Sequence, residues 1–363
     1  MSTRRALLVS GSIGMGHDSL ARACAVSLRH FGWSTHTLDA MRLLGPGAGQ
    51  AGGTVFRLMI AVPGLFDALH FAALRTGAAP ARAVDAAARR RLVPRLRALL
   101  DTQPADLVVS VFATAASAVG ALAGRYPSLR HVVFCTDVTP HRIWVQPNVH
   151  LYLVTSGAAE RAVRRFQPDA NVVVITPPVR PGFYEPPPQA HARAALGVPV
   201  DERCVLLMSG AWGIGPIAET AQALADSGLH VLAVAGTNAR LERRLRAAAR
   251  SRPRLRPFGF SDQIPDLMAA ADLVITSSGD TCAEARAVGR PLLLLDVVPG
   301  HGRDNLQHEL ELGNAAVASG RPAEVVAAAL HELDHAKQPG ADLGRSLAAW
   351  NAEFAAALAT IGL

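Results

Sequence analysis

PPVRPGFYEPPPQ, residues 177–189, holds six prolines in thirteen positions. Proline lacks an amide donor and fixes φ, so such a run continues neither a sheet nor a helix. The same pattern is written on both sides of it. Short apolar, β-branched runs alternate with Ala/Leu/Arg-rich stretches of helical length. Upstream the runs are ALLVSGS (6–12), STHTLDA (34–40), DLVVSVF (106–112), HVVFCTD (131–137), LYLVTS (151–156) and NVVVITP (171–177), with a helix expected over 17–31. Downstream they are CVLLMSG (204–210), HVLAVAG (230–236), DLVITSSG (272–279) and PLLLLDV (291–297). This alternation predicts α/β architecture, with parallel sheets covered by helices on both faces. The proline run reads as a linker between domains at 1–180 and 181–342. A helix over 343–363, with Trp350 and Phe354 at i, i+4, is expected to turn a core-facing stripe back onto the first domain.

Composition narrows the class. Half of the 363 residues are apolar and 18% are charged, enough for large cores and incompatible with wholesale disorder. Lys337 is the only lysine, which argues against a lysine-rich nucleic-acid arm and against Schiff-base chemistry. The net charge of +7 comes without a recognised nucleic-acid module or aromatic-basic interleaving, so no nucleic-acid partner is expected. Cys24, Cys135, Cys204 and Cys282 form no CxxC pair, which suggests neither a disulfide framework nor a zinc site and fits a reducing cytoplasm. The apolar stretch that follows the two arginines in MSTRRALLVSGS is too short for a signal peptide. The uncharged stretch 107–124 has membrane length but reads as a buried strand running into a small-residue helix.

Four segments carry chemistry. GSIGMGH (11–17) joins a strand to a helix, and its glycines at 11, 14 and 16 miss the GxGxxG order of dinucleotide sites. His17 at its tip is either a general base or a solvated histidine at a helix start. Asp39, about where a ribose-binding acid sits in nicotinamide proteins, keeps an NAD(P) oxidoreductase in play. SGAWGIG (209–215) occupies the equivalent turn downstream, and its amides could cradle a phosphate. In ITSSGDTCAEARAVGRP (275–291), Ser278, Gly279 and Thr281 open a helix and Glu284 follows one turn on. That arrangement suits a diphosphate and a ribose diol, or is simple N-capping by Asp280 or Thr281. VVPGHGRDN (297–305) sets His301, Asp304 and Asn305 on a loop after a strand, where polar groups could meet sugar hydroxyls.

Taken together and in order, these segments resemble the GT-B glycosyltransferases, within them the monogalactosyldiacylglycerol synthase and processive diacylglycerol glucosyltransferase group. The loop ending in Gly16-His17 resembles that family's GGGH loop, and TDVTPHRIW (136–144) its Thr-Asp-x-x-x-His-x-x-Trp stretch. VAGTN (234–238) resembles CGRN, TSSGDTCAEA resembles KPGGLTxxEA, and VVPGHGRDN resembles VPGQExxN at the same distance from Glu284. The resemblance implies two Rossmann-like domains whose parallel sheets face across a cleft, and an inverting transfer of a hexose from a UDP-sugar to a lipid hydroxyl, diacylglycerol or a related glycolipid. It implies His17 as catalytic base. Gly213, Ile214, Gly215, Gly279, Asp280 and Thr281 would face the diphosphate, Glu284 the ribose, Phe260 the uracil, and His301 and Asn305 the sugar. Gly14, Gly16, Asp137 and His141 would lie on the acceptor side. Helix-terminus charge would stabilise the leaving UDP, so neither metal nor cofactor is expected.

The chain departs from the family pattern at three places. Thr276-Ser277 stand where the family has Lys-Pro, His301-Gly302 replace Gln-Glu, and Phe112-Ala113-Thr114 replace a His-Pro motif. Within 52–100, residues 52–77 are rich in apolar and aromatic residues and show no regular short period, and the stretch after them carries Arg82, Arg89, Arg90, Arg91, Arg95 and Arg97. They suggest peripheral contact with an anionic membrane on the inner face of the cell, or an ordinary helix with a solvated face. A soluble natural-product or cell-wall-precursor acceptor, and a non-catalytic nucleotide-sugar binder, are the remaining alternatives.

Overall fold

The computed structural model describes residues 3–12, 16–45, 79–210, 213–298, 301–313, 315–335 and 346–363. They divide into two compact units, Met1–Pro178 with Ala348–Leu363, and Val179–Leu347.

The first unit is built on β1 (Arg5–Ser10), α1 (Gly16–His30), β2 (Ser34–Asp39), α2 (Ala40–Leu43), α3 (Ala79–Thr102), β3 (Leu107–Ser110), α4 (Ala113–Ala123), β4 (Arg130–Phe134), β5 (Leu151–Val154), α5 (Gly157–Phe166) and β6 (Val172–Val174). Its six strands pair in parallel in the order β2-β1-β3-β4-β5-β6. The inner strands are buried along their length, which is why LVVS and LYLV read as unbroken apolar runs rather than alternating ones. The 107–124 stretch is a strand followed by α4, whose alanines are buried except Ala121. No described helix is long and apolar enough to cross a membrane.

The arginine-rich part of 52–100 is described from Ala79 and forms α3, the ordinary helix that was one of its two readings, with Pro94 inside it. Leu92, Leu96 and Leu100, spaced i, i+4 and i+8, are buried against β1, β3 and α4. The arginines around them hide this narrow stripe. Residues 52–78 lie outside the described part of the chain.

The second unit continues through α6 (Gln189–Leu196), β7 (Cys204–Met208), α7 (Ile217–Asp226), β8 (His230–Val234), α8 (Ala239–Ala249), β9 (Leu255–Phe258), α9 (Ile264–Ala270), β10 (Leu273–Ser277), α10 (Asp280–Ala287), β11 (Leu292–Asp296), α11 (His301–Glu311), β12 (Ala315–Ser319) and α12 (Pro322–His335). Its parallel order is β12-β11-β10-β7-β8-β9. The sequence reading lacked β9 and β12: LRPF carries Arg and Pro, and AAVAS is barely apolar. The proline-rich stretch is packed rather than loose. A short 3-10 turn covers Pro181–Phe183, and Val179 and Phe183 are buried in the second unit's core.

The chain ends in α13 (Leu347–Ala359), which belongs to the first unit. Trp350 and Phe354 are buried and stacked, 4.9 Å between ring centroids. The Trp350 indole donates to the Thr176 carbonyl at 3.0 Å, and the Ser27 hydroxyl donates to Asn351 Oδ1 at 2.6 Å. Residues 343–345 lie outside the described part. All four cysteines are buried and unpaired.

Candidate functional site

In an open parallel sheet, ligands bind beyond the carboxyl ends of the strands where the winding reverses. In the first sheet that point lies between β1 and β3. Beyond β1 the chain passes Gly11, where a Cβ would stand 2.5 Å from the Phe112 ring, so glycine lets the two strand ends close up. Beyond β3 come Val111 and Phe112. His17, in the first turn of α1, bridges the two: its Nδ1 lies 2.8 Å from the Val111 carbonyl. A carbonyl only accepts, so Nδ1 carries the proton and neutral His17 keeps a lone pair on Nε2. The Phe112 ring meets the imidazole edge-on, centroids 5.1 Å apart. The Ser10 hydroxyl donates to Asp18, tying the strand end to the same helix. His17 is therefore oriented, as a base would be, and not a loosely solvated side chain. Gly16 opens the helix; Gly14 lies outside the described residues.

Asp39 is otherwise engaged. Its carboxylate accepts from the Met41 amide at 2.8 Å, capping α2, and from the Ser12 amide at 3.2 Å. Asp137 accepts from the Trp144 indole at 2.8 Å, and His141 Nε2 stands 3.7 Å from the same carboxylate. These two form one polar cluster after β4, anchored by buried Trp144.

In the second sheet the winding reverses between β7 and β10. The Ser209 and Ser277 hydroxyls meet there at 3.1 Å. So Ser277, which replaces the family's proline, stitches the two strand ends together. Gly213 and Gly215 have φ of 58° and 98°, the left-handed region that glycine tolerates. A Cβ at 213 would also stand 2.4 Å from Leu241, and one at 215 would stand 3.2 Å from Val297. Ile214 between them donates its amide to the Ser209 carbonyl at 3.3 Å. Ala211 and Trp212 of the same loop are outside the described residues.

Gly279 is the N-cap of α10, and no side chain caps that helix. The N-capping by Asp280 or Thr281 that the sequence allowed is not made. Helix-terminal amides without a side-chain cap carry partial positive charge suited to an anion. Thr281 is buried in the first turn and Asp280 is exposed. The Ser278 hydroxyl donates to the Gly302 carbonyl at 2.7 Å, which joins this loop to α11. VVPGHGRDN does not end in a loop as expected. A helix starts at His301 and places Asp304 and Asn305 in its first turns. Pro299, Gly300 and the His301 side chain are outside what is described. Phe260, just past β9, is 58% exposed, unusual for so large an apolar ring.

Glu284 stands one turn into α10, largely buried. Arg180, from the packed proline-rich stretch, reaches it at 3.6 Å and lies over the Phe183 ring at 4.9 Å. Burial pushes the Glu284 carboxyl up to about 8, and Arg180 opposes that rise. Sequence reasoning missed Arg180, because a proline run reads as linker and gives no sign that one of its residues faces a helix a hundred residues away. Asn238, matched to the family's CGRN, caps α8 by accepting from the Leu241 amide at 3.0 Å. Among the described residues no group of three His, Cys, Asp or Glu is placed to hold a metal ion.

Residues 216–332 match the glycosyltransferase family 28 C-terminal domain, and residues 77–179 match the monogalactosyldiacylglycerol (MGDG) synthase model. The chain resembles the MGDG synthases and their glucosyltransferase relatives. It is 32% identical over 201 residues to a probable chloroplastic MGDG synthase of Glycine max, covering 51% of this chain and 38% of that protein. It is 31% identical over 196 residues to a processive diacylglycerol beta-glucosyltransferase of Bacillus pumilus, covering 53% of this chain and 51% of that protein. The matched part thus spans about half the length of these curated relatives or less. Among solved structures, Anabaena Alr3699/HepE in complex with UDP superposes with a TM-score of 0.61 over 99% of this chain and 100% of that one, at 17% identity. At that identity the likeness speaks for the fold alone, which is GT-B, with two Rossmann-like units.

Proposed function

We propose that the chain transfers a hexose from a UDP-sugar to the hydroxyl of a lipid acceptor, diacylglycerol or a related glycolipid, with inversion at the anomeric carbon. The observation that carries the reading is the second sheet's winding point, where α10's uncapped amides and Glu284 lie one turn apart. The first would receive the diphosphate and the second the ribose diol. The names of the relatives, a diacylglycerol glucosyltransferase and an MGDG synthase, support the lipid acceptor.

The chemistry follows from the parts. His17 Nε2 takes the proton of the acceptor hydroxyl while that oxygen attacks the anomeric carbon. The bond from that carbon to the diphosphate oxygen breaks, and UDP leaves with the electron pair. The α10 N-terminus and the 213–215 loop amides stabilise the charge that develops on it. One displacement inverts the carbon once. In this reading Val111 fixes the base's tautomer and Arg180 favours the carboxylate form of Glu284 against its burial.

The test is a thermal-shift panel of UDP, UDP-sugars, NAD and NADP on the protein and on His17→Ala. UDP and one UDP-sugar should raise the melting temperature of both proteins, because a ligand that binds only the folded state stabilises it. Turnover should fall by ~10²-fold or more in His17→Ala. Stabilisation by NAD alone would sink the reading, and unchanged turnover in His17→Ala would leave a nucleotide-sugar binder.

A further inference from the structure

The chain's charge is concentrated in one place. Residues 239–256 hold eight arginines and one glutamate, a balance of +7, which equals the net charge of the whole chain. The rest of the sequence is neutral in sum. Most of this segment is α8, which packs Leu241 and Leu245 into the second unit's core. Its opposite line carries Arg240, Arg243, Ala247 and Arg250 at i, i+3, i+7 and i+10, all exposed.

The neighbouring acids do not neutralise that line. Glu219 is taken by Arg244, Glu242 by Arg246, Asp226 by Arg252, and Glu202 by Arg254 and His230. Among the described residues, Arg240, Arg243 and Arg250 have no acidic partner. The line bears no apolar side chain larger than Ala247 and no aromatic ring on which a base could stack. Such a surface can adsorb by charge, but it cannot insert.

We infer that this arginine line of α8 is a docking surface for an anionic bilayer. It shares only a lipid-borne acceptor with the proposed function and does not depend on the donor site. Each arginine near an anionic surface adds roughly a fivefold gain in binding, so three supply about 10²-fold. The attraction fades with salt, because exposed charges are screened beyond a Debye length.

The experiment is co-sedimentation of the full chain with vesicles of phosphatidylglycerol and phosphatidylcholine, and of phosphatidylcholine alone, at low and high salt. The variants are the triples Arg240→Gln/Arg243→Gln/Arg250→Gln and Arg240→Lys/Arg243→Lys/Arg250→Lys. The glutamine triple should lose ~10²-fold in partition onto the anionic vesicles at low salt, and the lysine triple should retain it. UDP-induced thermal shifts should be equal in all three proteins, which reports a folded second unit. Wild-type-like vesicle binding by the glutamine triple would overturn the inference. So would loss in the glutamine triple of binding to RNA but not to vesicles. Absence of a UDP shift in the wild-type protein would instead count against the donor-site reading and leave the vesicle comparison valid.

Discussion

The Val111 carbonyl settles which nitrogen of His17 is free, and no reading of GSIGMGH alone could supply that. The motif announces a histidine at a turn; the tautomer depends on a backbone oxygen ninety-four residues away. Glu284 is a similar case. Its place one turn into a helix is legible, whereas its burial and its Arg180 partner are not. That burial has a measurable consequence. Free Glu284 holds its proton up to about 8, while acceptance of the ribose diol by both oxygens calls for the carboxylate. UDP affinity should therefore weaken by about tenfold per pH unit as pH falls below that value, and level off above it. Titrating UDP binding against pH checks this, and Glu284→Gln should bind more weakly with a flat profile. The same shift bears on stability with a fixed sign. A raised carboxyl contributes stability that is present below its unfolded value and lost as pH rises through the folded one.

A second titrating residue lies far from this chemistry. His131 on β4 is fully buried, its Nε2 3.0 Å from the Ser110 hydroxyl, and burial pulls it down to about 3. The unfolded chain binds the extra proton below about 6.5, so stability should fall as pH drops from there towards 3. At two pH units below the unfolded value the loss is about 3 kcal/mol. Urea melts at a series of pH values measure it, and His131→Leu should flatten that part of the profile.

At the scale of elements, strands were easier to read than their ends. CVLLM and LLLLD are apolar without a break because both faces of a parallel strand are buried. Their flanks, such as the serine and glycine after β7, were read as strand but serve as the turn. For α3 a helix was legible but its buried face was not, since its three buried leucines are diluted by charge. The last helix, α13, was legible from Trp350 and Phe354, and its packing gives a prediction. Trp350→Ala removes a buried ring and orphans the Thr176 carbonyl, so it should cost about 3–5 kcal/mol of the first unit's stability. Denaturant unfolding followed by near-UV circular dichroism reports that loss. UDP binding, assigned to the second unit, should survive it. A donor affinity that fell in step with the first unit would contradict that assignment.

At the scale of the molecule, two parallel sheets each place a chemically apt loop at the point where winding reverses. One offers an oriented histidine, the other a helix start without a side-chain cap beside a carboxyl group. The α/β class was legible because alternation survives the alanine-rich composition. Of residues 52–100, the stretch that bears most on the acceptor, the described part begins at Ala79. The decisive measurement is release of UDP from UDP-glucose and UDP-galactose by the purified protein, with and without diacylglycerol in anionic vesicles. Diacylglycerol-dependent UDP release from one of the two donors, matched by glycolipid formed, is the expected result. Absence of glycolipid with either donor, in a protein that binds UDP, would contradict it.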